Sequence, residues 1–352
     1  MNEKIRKILD LAILAPSGEN CQPWRFVVSA DKIKVFNIPE RDNSLYSWGQ
    51  RASNLAHGAL VENIIIAASN FGYQADLKLF PDSTNLGFVA EIVLKPDSAR
   101  PDELYRLITE RCTNRKPYKR SPLSKDQLMI LSAVDFEGNR ARHKFVVEET
   151  DKKELANMAS ANERVIFENQ RLHSFFFNHV NWTKTEDDRK SVGFYLETLE
   201  LPPPAKVMFK VAKKWSAIRF LNKIGFSKMI AKANSQIYAC AGATGVVTID
   251  DDGKENYFFA GRLMQRLWLT VSSLGLSLQP MAGALFLALH LRHEDDKILS
   301  ALHKGVVLHN YQRIQEIFGV QGKTVAMMFR IGEDGQPSAR SSRLPVNVIE
   351  EN

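Results

Sequence analysis

The sequence is poor in features that would fix its class at once. Its three cysteines, Cys21, Cys112 and Cys240, stand far apart in 352 residues. So scattered and odd a set suggests neither a disulfide framework nor a thiolate zinc site, and reduced thiols are expected. No apolar run reaches the roughly 18 residues that a membrane-spanning helix needs, so no integral membrane segment is expected. The start, "MNEKIRKILDLAILAPSG", carries Asp10 within its short apolar part. That argues against a secretory signal and predicts a cytoplasmic protein. There is no G-x-G-x-x-G, hence no Rossmann site for a nicotinamide cofactor. His290 and His293 lie three apart in "LALHLRHEDD" without a third ligand in pattern, and no metal is expected.

Acidic residues are missing from one stretch in particular. The net charge of +7 suggests a polyanionic partner, but eight basic residues (Lys206, Lys210, Lys213, Lys214, Arg219, Lys223, Lys228 and Lys232) follow one another with no acidic residue between them, and the rest of the chain is nearly neutral. A nucleic-acid protein more often spreads such charge along a groove-tracking face with stacking aromatics, so no nucleic-acid partner is expected. The segment "KVMFKVAKKWSAIRFLNKIGFSKMIAKA" is basic and amphipathic, which suits a membrane surface or a lid.

What the chain does have is core and periodicity. Hydrophobic residues make up 44% of it, enough for one large domain or two ordinary ones. Ile5, Ile8, Leu9, Ala12 and Ile13 recur at helical spacing, and Pro16 stops that helix. "WRFVVSADKIKVFNI" reads as strand, "ASNLAHGALVENIIIAASNFG" as a helix apolar on nearly all faces, and "QADLKLFPD" and "GFVAEIVLKP" as two further strands. The helix recurs: "GALVENIIIAASNFG" (Gly58 to Gly72) matches "GRLMQRLWLTVSSLG" (Gly261 to Gly275) in both end glycines and six apolar positions. "RFVVSADK" echoes "KFVVEETDK", and "FVAEIVLKP" echoes "TVAMMFRIG". Three echoes in the same order predict a duplicated α+β chain, with a first half over 1–97 and a second over 98–352. The second half holds about 85 residues more, at about 151–236, which read as a mainly helical insertion and a candidate lid.

Chemistry concentrates in "LAILAPSGENCQPWRF". Pro16 and Gly18 release the backbone, Ser17, Asn20 and Gln22 offer donors and acceptors, and Pro23 and Trp24 stiffen the exit. Such a loop suits the edge of a flat heteroaromatic ring; it also reads as a helix stop with an Asx-type turn. In "LYRLITERCTNRKPY", Arg111, Thr113 and Arg115 place two guanidinium groups about a hydroxyl, a set that clamps phosphate or simply ends a solvated basic helix.

The first loop resembles the signature A-P-S-x-x-N-x-Q-P-W-x-F of the FMN-dependent nitroreductases, matched by Ala15, Pro16, Ser17, Asn20, Gln22, Pro23, Trp24 and Phe26. The second stretch is similar to that family's R-R-S-x-R segment. "LGLSLQPMAGALF" is similar to its P-[MI]-x-G loop at Pro280, Met281, Ala282 and Gly283, and Arg340 and Arg343 resemble its closing basic pair. The resemblance implies a nitroreductase-like α+β fold with one FMN per chain. Pro16, Ser17, Gly18, Asn20 and Gln22 would lie at the flavin. Arg111 and Thr113 would contact its phosphate and ribityl chain, Arg115 its pyrimidine edge, Arg340 and Arg343 its phosphate, and amides of 280–283 its N5. It implies an NAD(P)H oxidoreductase acting on a small organic molecule, in which the flavin carries the chemistry and no side chain is a catalytic acid or base.

The loop occurs once. The second half reads "AVDFEGNRARHKFVV" in its place, and the first half has no R-x-S/T-x-R before its first helix. This pattern resembles the duplicated subgroup that includes the mycobacterial flavin-binding Acg type, in which one chain forms an intramolecular pseudo-dimer and the insertion covers the flavin. A closed lid leaves an alternative, an FMN-sequestering or storage protein without turnover. Monomer and homodimer both remain open.

Overall fold

Helix α1 (Glu3–Ala12) buries Ile5, Ile8, Leu9 and Ala12 along one stripe, and Asn2 caps it by accepting from the Lys4 amide at 2.9 Å. The computed structural model in which it stands describes residues 2–351 except Asn43, Ala99, Phe136, Glu137, Asn139 and Asp295 to Lys297. Parts of the quoted stretches 133–147 and 287–296 therefore lie outside the described residues.

After the loop that follows α1 come β1 (Trp24–Ser29), β2 (Lys32–Asn37), α2 (Arg51–Asn70), β3 (Tyr73–Leu79) and β4 (Phe88–Pro96). Beyond a short 3-10 turn at Glu103–Ile108 the chain forms α3 (Lys125–Ser132) and β5 (Ala141–Val146). A mainly helical run follows: α4 (Glu149–Glu168), α5 (Gln170–Asn178), β6 (Val180–Asn181), α6 (Lys184–Lys190), β7 (Phe194–Tyr195), α7 (Pro203–Ala212), α8 (Trp215–Leu221) and α9 (Phe226–Tyr238). The chain then continues through β8 (Ala243–Ile249), α10 (Lys254–Ser273), β9 (Ser277–Pro280), α11 (Gly283–His293), α12 (Ala301–Phe318), β10 (Thr324–Gly332) and β11 (Val348–Glu350).

Two α+β halves result. The strands β1-β2-β4-β3 form one antiparallel sheet and β5-β8-β10-β9 another, so the second order repeats the first element for element, with α10 in the place of α2. The sequence echoes fall on the matching pairs, β1 with β5 and β4 with β10. Each sheet packs on its own large core.

Helices α2 and α10 join the halves. They meet through a local two-fold relationship: Glu62 Oε1 receives Arg266 at 2.7 Å, and Asn63 Oδ1 accepts from Gln265 Nε2 at 2.7 Å. Glu62 corresponds to Gln265 in the repeat and Asn63 to Arg266, so the two contacts are images of each other, as in an isologous interface. The Glu62 carboxylate is fully buried and takes a second guanidinium from Arg262 at 2.9 Å.

The boundary expected at residue 97 falls just after β4, and both the first sheet and the first core take residues from beyond it. Ile108 is buried in the first core, with Leu104 and Leu107 against it. At the far end β11 pairs in parallel with β1, Phe26 opposite Val348, and covers an edge that would otherwise expose unpaired amides. The expected insertion also divides. Helix α4 belongs to the second core through Leu155, Met158, Ala159, Val165 and Ile166, so it is structural rather than part of a cover. The helices after it gather round a satellite cluster of Phe167, Phe177, Ala212, Ile218 and Phe226. Among the described residues no helix is long and apolar enough to cross a membrane.

Candidate functional site

The loop after α1 leaves the helical path in a short 3-10 turn, and Glu19, Asn20 and Gln22 all have positive φ (46°, 55° and 49°). Three left-handed non-glycine residues so close together cost free energy that other contacts must offset, a pattern common where function constrains the backbone. Here the Gln22 amide donates to Ser17 Oγ at 3.0 Å, closing the loop on itself.

The loop forms one wall of a cleft of about 160 Å³. Of the residues named from the sequence, the structure brings Pro16, Ser17, Asn20, Arg111, Thr113, Arg115, Arg340 and Arg343 to it. Residues 109–115 follow the 3-10 turn that docks on the first core, and Thr113 bridges to Leu278 beside β9. Arg340 and Arg343 arrive on the tail that runs on to β11. The cleft thus lies where the two halves meet.

Its charge is one-sided. Arg111 donates from Nη2 to Leu14 O at 2.9 Å, its guanidinium stacks on Trp268 at 4.5 Å, and its Nε is buried without a partner. Arg115 donates to Thr198 O at 2.9 Å, and Arg340 to Thr109 O and Glu110 O. Arg343 donates to Asn20 Oδ1 and reaches Leu14 O. All these partners are neutral oxygens. Burial, reinforced by the positive charge of Arg343 and Arg340, pushes Arg111 down to about 9, and burial pushes Arg343 down to about 10. A cluster that destabilises its own positive charge is completed by an anion with several acceptor oxygens. The donor set therefore fits the phosphate end of a nucleotide.

Other expected residues stand elsewhere. Gln22 is fully buried behind the wall: its Nε2 donates to Ser191 O at 2.7 Å and Asn20 O at 3.2 Å, and its Oε1 accepts from the Leu344 amide at 3.0 Å. It clasps loop, insertion and tail together and has no edge left for a ring. Gly18 is exposed and does not line the cleft. The 280–283 loop does not line it either. Pro280 pairs with Phe329 in the sheet, the Met281 amide donates to Met328 O at 2.7 Å, and Ala282 leads into α11. Gly283 lies against Asn162 of α4, which occupies the space a Cβ would need. The Met281 amide expected at N5 is thus spent inside the sheet. His293 is held by Asp252 at 2.6 Å and stacks on Trp48, and among the described residues no group of three or more His, Cys, Asp and Glu is placed to hold a metal.

Two lining residues that the sequence did not single out lie inside the insertion expected as a candidate lid. Phe194 and Thr198 line the cleft from the middle of the insertion, where the Gly193 amide also donates to Glu19 O at 2.9 Å. The basic run at 206–232, expected to close over the site, contributes no lining residue. Trp268 was legible only as core. Its position in α10, directly beneath Arg111, follows from the pairing of the two long helices, which no local pattern encodes.

No family model matches the chain. It is 24% identical over 353 residues to the uncharacterized protein MT1398 of Mycobacterium tuberculosis, covering 98% of this chain and 48% of that protein. The chain thus spans about half the length of this relative. Over 80 residues, 23% of each chain, it is 32% identical to a protein of the same organism named "Putative NAD(P)H nitroreductase MT3217". A solved structure of a nitroreductase with bound FMN from Desulfitobacterium hafniense aligns with 70% of this chain and 95% of its own, at 13% identity and a TM-score of 0.35. The chain is therefore similar over nearly its whole length to a mycobacterial protein about twice as long, and over about a quarter of it to one that bears a nitroreductase name.

Proposed function

We propose that this chain binds one FMN and is a nitroreductase-type oxidoreductase that passes electrons from NAD(P)H to a small organic acceptor. The observation that carries this reading is the guanidinium cluster beside the A-P-S-x-x-N loop, which among the described residues has no carboxylate partner and in which Arg111 Nε is buried without a hydrogen bond. Arg111 would hold the phosphate through that nitrogen while Nη2 keeps its bond to Leu14 O, and Arg340 and Arg343 would neutralise it from the tail. Thr113, beside Arg111, would face the ribityl chain. Arg115, fixed by Thr198 O and lying over the Phe194 ring, would face the ring end. When bound, FMN supplies hydride chemistry that side chains lack. The segment 191–198 would exclude water from it, and Trp268 of α10 would keep Arg111 in place. The two halves are read as fused copies of one unit, 1–97 and 98–352, of which this is the retained site.

A second reading has its own support. The cover is tied to the loop and to Arg115 by Gln22, the Gly193 amide and Thr198 O, and about 160 Å³ is small beside the roughly 300 Å³ and more of ordinary ligand pockets. A cover that stays shut would make the protein an FMN-sequestering one. An anaerobic visible spectrum before and after NADPH separates the readings. Flavin bands that bleach promptly support the oxidoreductase, and bands that persist support sequestration. Colourless protein that takes up no added FMN overturns both.

A further inference from the structure

The basic run contributes nothing to the cleft, and its place in the fold gives it another role. Helices α7, α8 and α9 pack inward on the small cluster of Ala212, Ile218 and Phe226. Outward they, with the turn between α8 and α9, expose Val207, Met208, Val211, Phe220, Ile224 and Met229, with Phe220 67% and Ile224 78% exposed. These six are nearly half of all large apolar side chains exposed among the described residues, gathered in one 23-residue stretch. Solvent-facing apolar groups so concentrated are costly unless something covers them.

The charges beside them indicate what does. Lys206 pairs with Glu197, and Lys213 lies over Trp182 at 5.1 Å. Lys210, Lys214, Arg219, Lys223, Lys228 and Lys232 are exposed and stand in no ion pair among the described residues. In α7, Val207 and Val211 are one turn apart with Lys210 beside them, and Lys214 follows in the turn to α8; in α9, Met229 lies between Lys228 and Lys232. Apolar side chains and lysines thus share the outward side of consecutive helices.

We propose that α7 to α9 form a docking surface for an anionic lipid bilayer, with the six apolar side chains entering the headgroup region and the lysines meeting lipid phosphates. An interfacial helix combines just these two contributions, and each basic residue near an anionic membrane adds to the attraction. Pairing of this face with a second copy would set its positive charges against their own images, which costs energy. A nucleic acid would satisfy the lysines and leave valine, isoleucine and methionine exposed.

The test is co-sedimentation of the full chain with vesicles of phosphatidylcholine, alone or with about one-third phosphatidylglycerol. Binding about tenfold stronger to the anionic vesicles, and lost near 0.5 M salt, is expected. Phe220→Ser with Ile224→Ser should weaken it at an unchanged melting temperature, and Lys210→Glu with Lys214→Glu and Lys223→Glu should abolish it. No preference for anionic vesicles overturns the proposal. So does binding to anionic vesicles that ignores the Phe220 and Ile224 changes, which would identify a polyanion site without an apolar contribution. A dimer that those two changes convert to monomer, without lipid binding, also overturns it.

Discussion

Gly58 of α2 lies so close to Phe258 of α10 that a Cβ built on it would stand 1.9 Å from the Phe258 carbonyl oxygen. Gly261 stands in the same relation to Leu55, again at 1.9 Å. Since 58 aligns with 261 and 55 with 258 in the repeat, these are one contact made twice about a two-fold axis. The obstacle is main chain on a packed helix, which cannot give way as a side-chain tip would. Gly58→Ala and Gly261→Ala should each destabilise the protein by about 3 kcal/mol, and by similar amounts. Gly305→Ala in α12, where a Cβ meets nothing, should be neutral or stabilise by up to about 1 kcal/mol. Chemical denaturation of the three variants checks this, and a large difference between the first two would break the symmetry argument.

Arg111 carries a charge that its surroundings disfavour. Replacing it with methionine keeps contact with Trp268 and removes a buried cation that has only Leu14 O as a partner. Arg111→Met should therefore leave the stability of the ligand-free protein unchanged or raise it. Inorganic phosphate should stabilise the native protein by about 2.7 kcal/mol when present at one hundred times its dissociation constant. The variant should lose that gain. Thermal melts with and without phosphate report it, and equal gains in both proteins would take the phosphate site away from Arg111.

Two buried groups pull the pH dependence of stability in opposite directions. His57 in α2 is fully buried, with Nδ1 on Ser53 O at 2.6 Å, and burial pushes it down to about 4 against the opposing pull of backbone groups of Ser53, Phe36 and Pro23. The unfolded chain binds that proton near 6.5, so the contribution of neutral His57 is complete above that pH and is lost as pH falls towards 4. The loss is about 3 kcal/mol. Glu163, accepting from Tyr238 at 2.8 Å, is pushed by burial up to about 7. Its proton is kept in the folded state and released from the unfolded one near 4.5, so its contribution fades as pH rises from 4.5 through 7. His57→Gln should flatten the acid side of the stability profile and Glu163→Gln the neutral side. Parallel profiles for all three proteins would sink both assignments.

How much was legible in the sequence depended on the range of the contacts. The elements of the first half and the recurrence of α2 as α10 follow from periodicity and internal echoes; the strand order and the packing of the two helices do not, and Arg111, Arg115, Arg340 and Arg343 are singled out together only by a resemblance. The partners of Gln22 were not legible, because Ser191 and Leu344 lie 169 and 322 residues away. Helix α4 looked like part of an insertion because insertion is a property of sequence, whereas its burial against the second sheet is a property of packing. The sequence marks 151–236 as a candidate lid without singling out 191–198 within it, since most of that segment's bonds to the loop and to Arg115 are made by main-chain groups that any residue possesses.

That makes Gln22 the position where signature and structure part company. If it contacts a flavin edge, as the resemblance implies, Gln22→Leu should shift the bound flavin spectrum and weaken FMN, with the tail undisturbed. If it is the clasp seen here, the change takes the Leu344 amide's partner away, leaves Ser191 O with only the longer bond from Asn20 Nδ2 at 3.4 Å, and costs about 1–3 kcal/mol. Hydrogen exchange at Leu344 should then accelerate, and bound FMN should exchange faster because the cover is no longer tied to the loop. The clasp is the expected outcome: the side chain is fully buried, its amide nitrogen donates twice and its oxygen accepts from the tail. A ring could recruit it only by breaking bonds that hold three distant segments together. Exchange at Leu344 that is the same in variant and native protein would return Gln22 to the flavin.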